Sequence, residues 1–210
     1  MSRWRHGSKP VIGLIGGIGA GKSTAARLLT DRGGIMVDAD ALGHSALENT
    51  EIRQSVLRLW GDQANLLRPD GRIDRRALGR IVFQKNHARR ALEAVVLPYI
   101  RVQAEAALAA AQTDPAARFV VLDAAVMLEA GWDGVCDKVV YVDAPRTLRL
   151  ARVAARSGWS EEELAAREAA QWPAERKMAA ADAVLVNDAG PEVLGRKLDE
   201  LLRQWGLPTG

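Results

Sequence analysis

Residues 16–24 constrain this chain more than any other segment, because they read Gly-Gly-Ile-Gly-Ala-Gly-Lys-Ser-Thr. The glycines at 16 and 21, followed by Lys22 and Ser23, match the spacing G-x-x-x-x-G-K-[ST] of a phosphate-binding loop. An apolar run precedes the motif at residues 11–15, and a helix-favouring run follows it at 25–29. Strand, loop and helix in this order form the context in which the motif binds a nucleoside triphosphate.

The residue types of the loop suit phosphate chemistry. Glycines let successive backbone N–H groups approach an anion, and the start of a helix adds its partial positive charge. Lys22 supplies a charge for the β- and γ-phosphates, and the Ser23 hydroxyl can ligate Mg²⁺. A glycine-rich turn that only joins a strand to a helix is the alternative. The residues predicted to bind the nucleotide are Gly17, Ile18, Gly19, Ala20, Gly21, Lys22, Ser23 and Thr24, with Ser23 as the metal ligand.

The composition is typical of a globular enzyme. Apolar residues make up 48% of the 210 residues, and 29 basic against 26 acidic residues give a net charge of +3. This balance does not require a nucleic-acid partner, and no segment approaches the ~20 apolar residues of a membrane span. The single cysteine, Cys136, excludes an internal disulfide and is expected to be a buried side chain. We therefore expect a cytoplasmic protein without a nucleic-acid or membrane partner.

Apolar runs alternate with helical segments and predict an α/β fold. Strands are expected at residues 10–15, 35–38, 119–122, 139–142 and 183–186, after a polar leader at 1–9. Helices are expected at 22–32, 39–47, 51–60, 75–84, 88–112, 160–171 and from 191 onward. Asp74 is a predicted N-cap, Ser160 and Glu163 form a capping box, and Pro98 should kink or split the longest helix. Such alternation indicates a parallel sheet with helices on both faces.

Polar residues follow the strands, at the end of the sheet where ligands bind. Asp38 and Asp40 follow the second strand, and Asp123, Asp143 and Asn187 follow the later ones. A kinase that acts on an alcohol needs a carboxylate to orient the hydroxyl and accept its proton, and an aspartate after the second strand can do this. Capping of the next helix is an equally good interpretation of either aspartate alone.

Arginines are concentrated after the fourth strand, at positions 146, 149, 152 and 156. Arg149, Arg152 and Arg156 are spaced by three and four residues, so they share one helical face. Arginines on a closing lid stabilise the charge of a transferring phosphoryl group. The alternative is a solvated basic face.

Together these segments resemble the dephospho-coenzyme A kinase family over residues 10–190. The phosphate loop is similar to that of the family, including the paired glycines at 16 and 17. Further family signatures are matched at residues 37–40 with His44, 71–83, 129–132, 152–156, 167–171, Lys177 with 181–182, and Asn187 with Gly190. Their shared order and spacing make the resemblance specific.

The resemblance implies transfer of the ATP γ-phosphate to the 3′-hydroxyl of dephospho-CoA, which gives CoA and ADP. It implies that Asp40 is the catalytic base, that Lys22 holds the ATP phosphates with Mg²⁺ at Ser23, and that Arg152 and Arg156 act from the lid. Asn187 would lie near the adenine. The candidates for acceptor contacts are Asp38, His44, Arg75 and Glu129. A monomer or weak homo-oligomer is expected.

The fold implied is a P-loop NTPase three-layer sandwich with a five-stranded parallel sheet. Its nucleotide-binding core would comprise residues 10–59, 118–145 and 179–210. A helical acceptor-binding domain would be inserted at 60–117, and a small lid at 146–178.

Two segments depart from the family pattern and leave alternatives open. Residues 125–129 read Ala-Val-Met-Leu-Glu where the family usually has Pro-Leu-Leu-Phe-Glu, and Leu97 precedes Pro98 where the family usually has histidine. Both segments lie toward the acceptor in the family, so another small-molecule kinase of the same architecture is the main alternative. A GTP-dependent switch would need a guanine-reading Asn-Lys-x-Asp segment, which the sequence lacks.

Overall fold

The computed structural model describes residues 7–62 and 65–209, with only the backbone of residues 83 and 84. Most of the predicted leader, residues 1–6, lies outside the described residues. Lys9 is held by the side chain of Gln112, because its amide donates to Gln112 Oε1 at 3.1 Å and its carbonyl accepts from Gln112 Nε2 at 2.8 Å. The described end of the leader is therefore held by side-chain contacts.

Five parallel strands form one sheet in the described part of the chain, which confirms the predicted fold class. The strands are β1 (Val11–Gly16), β2 (Gly34–Asp38), β3 (Phe119–Asp123), β4 (Lys138–Asp143) and β5 (Ala183–Val186). They lie in the order β2-β3-β1-β4-β5, and each neighbouring pair is parallel. All residues of β1 and β3 are buried, whereas Met36 on β2 and Val184 on β5 are exposed because these strands form the edges.

Helices connect and cover the strands. They are α1 (Lys22–Thr30), α2 (Ala39–Ala46), α3 (Thr50–Trp60), α4 (Arg75–Gln84), α5 (Asn86–Thr113), α6 (Arg146–Ser157), α7 (Glu161–Glu168), α8 (Ala174–Ala179) and α9 (Pro191–Gln204). α5 continues through Pro98, so the predicted split does not occur; one proline removes one hydrogen bond of a 28-residue helix. α7 ends three residues earlier than predicted, and Pro173 is the N-cap of α8, a helix that was not predicted.

The prediction that no segment approaches the length of a membrane span is wrong for α5. This helix has 28 residues and contains an 18-residue window with a mean hydropathy of 1.3, which is long and apolar enough to cross a membrane. Alanine raises the hydropathy of the window, and 17% of the window is buried. One such helix is a weak indicator, because helices of soluble proteins pass the same test.

The core lies between the sheet and the pair α1 and α9. Side chains of alternating strand positions face these helices, and they are Ile12, Leu14, Phe119, Val121, Val140, Val142 and Leu185. α9 contributes Leu194, Leu198, Leu201 and Leu202, the apolar face that the sequence predicts. Cys136 is buried as expected, and burial raises the pKa of its thiol to about 12. The packed core fixes β1 and α1, and so fixes the loop between them.

The described residues divide into two compact units. One unit contains the whole sheet and extends to Asp38 and again from Ala107 onward. The other, Ala39–Ala106, is called the helical unit here and contains α2, α3, α4 and most of α5. The domain boundaries predicted from the sequence, 60–117 for the acceptor domain and 146–178 for the lid, stay predictions.

Candidate functional site

The loop between β1 and α1 exposes backbone N–H groups. Gly19 and Gly21 have φ angles of 77° and 98°, in the left-handed region that residues with a side chain rarely adopt. Gly21 is also the N-cap of α1, where no side chain caps the helix and the first turn holds no acidic residue. Within the described part of the chain, the amides of Gly19, Gly21 and Ser23 donate no hydrogen bond. These amides and the positive end of α1 form a nest for an anion.

The other predicted loop residues fix the shape of this nest. The Gly17 amide donates to the Val142 carbonyl of β4 at 3.3 Å, and the Ala20 amide donates back to the Gly17 carbonyl at 3.0 Å. The Thr24 amide donates to the Gly21 carbonyl at 3.0 Å and begins the hydrogen bonding of α1. The loop is therefore closed on itself and anchored to the central part of the sheet.

Lys22 forms an ion pair with Asp123 at the end of β3. Both side chains are largely buried, with 14% and 8% exposure. β3 lies beside β1 in the sheet, so the parallel pairing brings this carboxylate to the loop. Asp123 follows a predicted strand, but its sequence position alone predicted no role for it. A sequence signal for a role was nonetheless present, since four apolar residues precede the aspartate. In P-loop proteins, an aspartate in this position helps to hold Mg²⁺.

Arg152 and Asn187 hold the carbonyl side of the loop. Arg152 Nη1 donates to the carbonyls of Gly19 and Ala20 at 3.3 and 3.2 Å, and Nη2 donates to the Asn187 carbonyl at 3.1 Å. Asn187 is buried, and its Nδ2 donates to the Ala20 carbonyl at 2.8 Å. Because the carbonyls are held from this side, the amides are left to face the anion site.

The arginines of α6 contact different partners, although their spacing places three of them on one face. Arg149 donates to the Ile18 carbonyl at 3.4 Å and forms an ion pair with Glu168 of α7. Arg146 forms an ion pair with Glu161 at the start of α7. Arg156 is exposed, and its Nε lies 3.4 Å from Ser157 Oγ. Of the two arginines predicted to act from a lid, Arg152 lies at the loop and Arg156 points its charge to solvent.

Glu129 belongs to a buried polar network. Its Oε1 lies 2.8 Å from Lys177 Nζ and accepts the Trp172 amide at 2.9 Å. Lys177 is only 2% exposed and also donates to the Ala125 carbonyl and to Gln171 Oε1, both at 3.1 Å. This network joins the segment after β3 to the segment before α8. Glu129 thus has a structural role as the partner of a buried lysine. Its predicted role in acceptor binding stays a prediction.

Glu129→Ala is expected to lower the free energy of unfolding by about 3 kcal/mol, because it leaves the Lys177 ammonium buried without its carboxylate. Urea denaturation followed by circular dichroism measures the loss. Glu200→Ala removes an exposed carboxylate of α9 and should change the stability by less than about 0.5 kcal/mol. Unchanged stability together with a raised KM for the acceptor would instead favour the predicted binding role.

The predicted site residues that follow β2 fall on both units. Asp38 ends β2 and is paired in register with Asp123 of β3, whereas Asp40 lies in the first turn of α2. Asp40 and His44 are four residues apart on α2 and so share one face. His44 and Arg75 line one cavity of about 310 Å³ inside the helical unit. The structure therefore brings together two of the four predicted acceptor contacts.

Metal binding here would depend on oxygen donors at the loop. No group of three or more His, Cys, Asp or Glu side chains able to hold a metal is found in residues 7–62 and 65–209. Mg²⁺ usually keeps several waters and is held by one or two protein oxygens together with substrate phosphates. The Ser23 hydroxyl and the Asp123 carboxylate, which contacts the neighbouring Lys22, are donors of this type. The residues at the loop thus fit Mg²⁺ bound together with a nucleotide.

Comparison with protein families and curated sequences gives a consistent result. The family model described as dephospho-CoA kinase matches residues 10–192. The dephospho-CoA kinase of Anaeromyxobacter dehalogenans is 45% identical over 195 residues, covering 91% of this chain and 90% of the relative. The dephospho-CoA kinase of Geobacter sulfurreducens is 40% identical over 192 residues, covering 91% and 96%.

Solved structures share the fold. A crystal structure from Thermus thermophilus is 40% identical with a TM-score of 0.78, covering 93% of this chain and 97% of that one. The shikimate kinase of Acinetobacter baumannii is 19% identical with a TM-score of 0.52, covering 94% and 95%, and is similar in fold alone.

Proposed function

Because the chain belongs to the dephospho-CoA kinase family, we propose that it transfers the γ-phosphate of ATP to the 3′-hydroxyl of dephospho-CoA. One observation carries the proposal: the amides of Gly19, Gly21 and Ser23 form a nest beside the Lys22–Asp123 pair. Such a nest binds the phosphates of a nucleotide, and membership of the family identifies dephospho-CoA as the proposed acceptor.

The loop and Lys22 have separate tasks in this proposal. The amides of the nest hold the phosphate oxygens, and Lys22 exchanges the Asp123 carboxylate for the β- and γ-phosphates when ATP binds. The Ser23 hydroxyl and the Asp123 carboxylate would then hold Mg²⁺, which neutralises charge on the phosphates. Asn187, which supports the loop through Ala20, lies at the edge of the same site and is proposed to contact the adenine side of ATP.

Asp40 is proposed as the base. Its carboxylate accepts the proton of the 3′-hydroxyl while the 3′-oxygen forms a bond to the γ-phosphorus. The bond between that phosphorus and the bridging oxygen breaks, and ADP leaves with the electron pair. Arg156 is proposed to stabilise the charge of the transferring group, since its guanidinium is exposed and has no ion-pair partner among the described residues.

Arg156→Ala is expected to lower kcat by roughly 100-fold with little change in melting temperature, because the side chain stabilises only the transferring group. Arg152→Ala should mainly raise the KM for ATP, by roughly tenfold, because it releases two loop carbonyls. Steady-state kinetics separate these effects. Arg146→Ala breaks exposed ion pairs with Glu161 and Glu168 of α7, away from the loop carbonyls, and serves as the control. A fall in melting temperature for Arg156→Ala without a loss of kcat would mean that the arginine is part of a solvated basic face.

The proposed activity is tested by a coupled assay of ADP release with Mg-ATP, run with and without dephospho-CoA. We expect ADP to form only with the acceptor, in an equal amount to CoA measured by mass spectrometry. A panel of nucleosides, nucleotides and sugar-like alcohols tests for another kinase of this architecture, which the altered residues 97 and 125–128 would favour. Turnover of a panel member but not of dephospho-CoA would overturn the assignment.

The protein is further proposed to act in the cytoplasm as a monomer or weak homo-oligomer. ATP and dephospho-CoA are its proposed ligands, without a nucleic-acid or membrane partner. A lone cysteine, Cys136, and a net charge of only +3 support this. Sedimentation at several protein concentrations tests the oligomeric state.

A further inference from the structure

One arginine joins helix α7 to the phosphate loop. Arg149 of α6 forms an ion pair with Glu168, the last residue of α7, and the two side chains are only 15% and 28% exposed. The same guanidinium donates from Nη1 to the Ile18 carbonyl at 3.4 Å and from Nε to the Ala144 carbonyl at 3.1 Å. Arg149 therefore contacts α7, the loop and the segment after β4 at the same time.

The loop also packs directly against α6. A Cβ on Gly19 would lie 2.7 Å from the Arg149 carbonyl oxygen, so only glycine permits this close approach. A Cβ on Gly17 would lie 3.5 Å from Arg149 Nη1, which is ordinary van der Waals contact. Because Arg149 touches the loop with its backbone and with its side chain, a change in its position acts on the loop.

The Ile18 carbonyl sets the direction of one amide of the nest. A peptide unit is planar and trans, so the Ile18 carbonyl and the Gly19 amide lie in one plane and point in opposite directions. No backbone amide in the described part of the chain donates to this carbonyl, and Arg149 is the donor that holds it. The carbonyls of the next two residues are held by Arg152 and Asn187 instead. Arg149 thus orients the Gly19 amide toward the anion site.

Glu168 keeps this guanidinium in place. An arginine side chain has many rotamers, and a carboxylate that accepts from its Nη1 restricts them. The other cation near Glu168 is Arg146, whose Nη2 lies 3.9 Å from Oε2, so the contact with Arg149 is the closer one. The pair also neutralises Arg149, so the guanidinium is engaged with carbonyls and with Glu168. The position of α7 therefore affects where Arg149 lies.

We propose that Glu168 is a positioning residue for the phosphate loop. It holds Arg149 against the Ile18 carbonyl and so orients the Gly19 amide toward the phosphates of the nucleotide. The inference rests on the part of the proposed function that places ATP at this loop. Contacts that run from α7 through one arginine to the loop couple the docking of α7 to nucleotide binding, and each then favours the other by the same factor.

The first test measures the Kd for Mg-ATP by titration calorimetry. Glu168→Ala and Arg149→Met should each raise it about fivefold, as for loss of one net hydrogen bond, because the loop loses part of its preorganisation. Glu168→Gln keeps an oxygen acceptor for Nη1 and should raise the Kd by only about twofold. The double variant, Glu168→Ala with Arg149→Met, should bind no worse than Arg149→Met alone, since Glu168 acts only through the arginine.

Glu161→Ala is the matched control for these variants. Glu161 is also on α7 and forms an ion pair with Arg146 of α6, but this exposed pair does not reach the loop. Its loss should leave the Kd for Mg-ATP within about twofold of the wild type. The melting temperature of each variant is measured in parallel. A role of Glu168 in stability alone would lower the melting temperature and leave the Kd unchanged, which would overturn the proposal.

Hydrogen exchange tests the coupling from the other direction. Saturation with a non-hydrolysable ATP analogue should slow exchange of the amides of α7 about fivefold in the wild type and in Glu161→Ala. The effect should be absent in Arg149→Met, because the contact between loop and α7 is lost. Equal slowing in Arg149→Met would mean that α7 responds to the nucleotide by another route, and would overturn the proposal.

Two further binding results would contradict the role of Glu168. A lower Kd in Glu168→Ala would mean that the carboxylate masks a phosphate-binding charge, and additive losses in the double variant would mean that it acts independently of Arg149. Failure of the wild type to bind Mg-ATP would refute the placement of ATP at the loop and with it the proposed function. Wild-type turnover of dephospho-CoA together with normal ATP binding in Glu168→Ala would refute only the inference about Glu168.

Discussion

Asp40→Asn is expected to lower kcat by about 10³-fold and to leave ATP binding nearly unchanged. The amide has the shape of the carboxylate but cannot accept the proton of the attacking hydroxyl, and a positioned general base contributes about 10²–10⁴-fold. The loop that is proposed to hold ATP lies in the sheet unit and contains no part of α2. Steady-state kinetics with dephospho-CoA and calorimetric titration with ATP measure the two quantities.

The stability of the same variant distinguishes the base from a capping residue. Asp40 lies in the first turn of α2, where a carboxylate stabilises the helix dipole by about 0.3–1 kcal/mol. If capping is its whole role, Asp40→Asn should lower the melting temperature slightly and retain near-normal turnover. If Asp40 is the base, kcat falls while the melting temperature changes little. Near-normal turnover would place the base elsewhere.

The parts of the fold that depend on local sequence could be predicted. Unbroken apolar runs indicated the five strands, and the glycine spacing indicated the loop between β1 and α1, in which Gly19 and Gly21 have positive φ angles. The capping box of α7 formed as expected, with the Glu163 amide donating to Ser160 Oγ at 3.3 Å and Glu163 Oε2 accepting the Ser160 amide. Such signals lie within a few residues of each other, so one sequence is enough to detect them.

Contacts between distant segments could not be predicted in the same way. Spacing placed Arg149, Arg152 and Arg156 on one helical face, but only tertiary structure brings Arg152 to Gly19, 133 residues away. Arg156 lies one turn farther along α6 and does not contact the loop carbonyls. Residue spacing along a helix specifies the face on which a side chain lies. Its contact partners depend on which element packs against that face. The predicted common role of these arginines is therefore divided between support of the loop and a solvent-facing charge.

The same limit applied to residues whose function arises from a neighbour. Asp123 looked like any polar residue at a strand end until the pairing of β3 with β1 placed it at Lys22. Glu129 was predicted to contact the acceptor, and only the fold places Lys177, buried at 2% exposure, beside it. The cavity that contains His44 and Arg75 is lined by the end of α2, the turn before α4 and the start of α4, so it too arises only from tertiary packing.

Lys22→Met is expected to lower kcat/KM for ATP by about 10³-fold, because methionine retains most of the side-chain length but none of the charge that is proposed to hold the β- and γ-phosphates. The substitution also leaves the Asp123 carboxylate, 8% exposed, without its cation. Removal of one partner of a buried pair costs about 3 kcal/mol of stability. Kinetics with Mg-ATP and urea denaturation of the ligand-free protein measure the two losses.

The double variant Lys22→Met with Asp123→Asn separates the structural loss from the catalytic one. Replacing the carboxylate by a neutral amide removes the unpaired charge, so the double variant should regain most of the stability that Lys22→Met alone loses. Its activity should stay as low as that of the single variant, because neither the phosphate contact nor the proposed magnesium ligand is restored. Recovery of activity together with stability would show that Lys22 supports the fold of the loop rather than the phosphates. Unchanged kinetics in Lys22→Met would contradict the assignment of the loop to ATP.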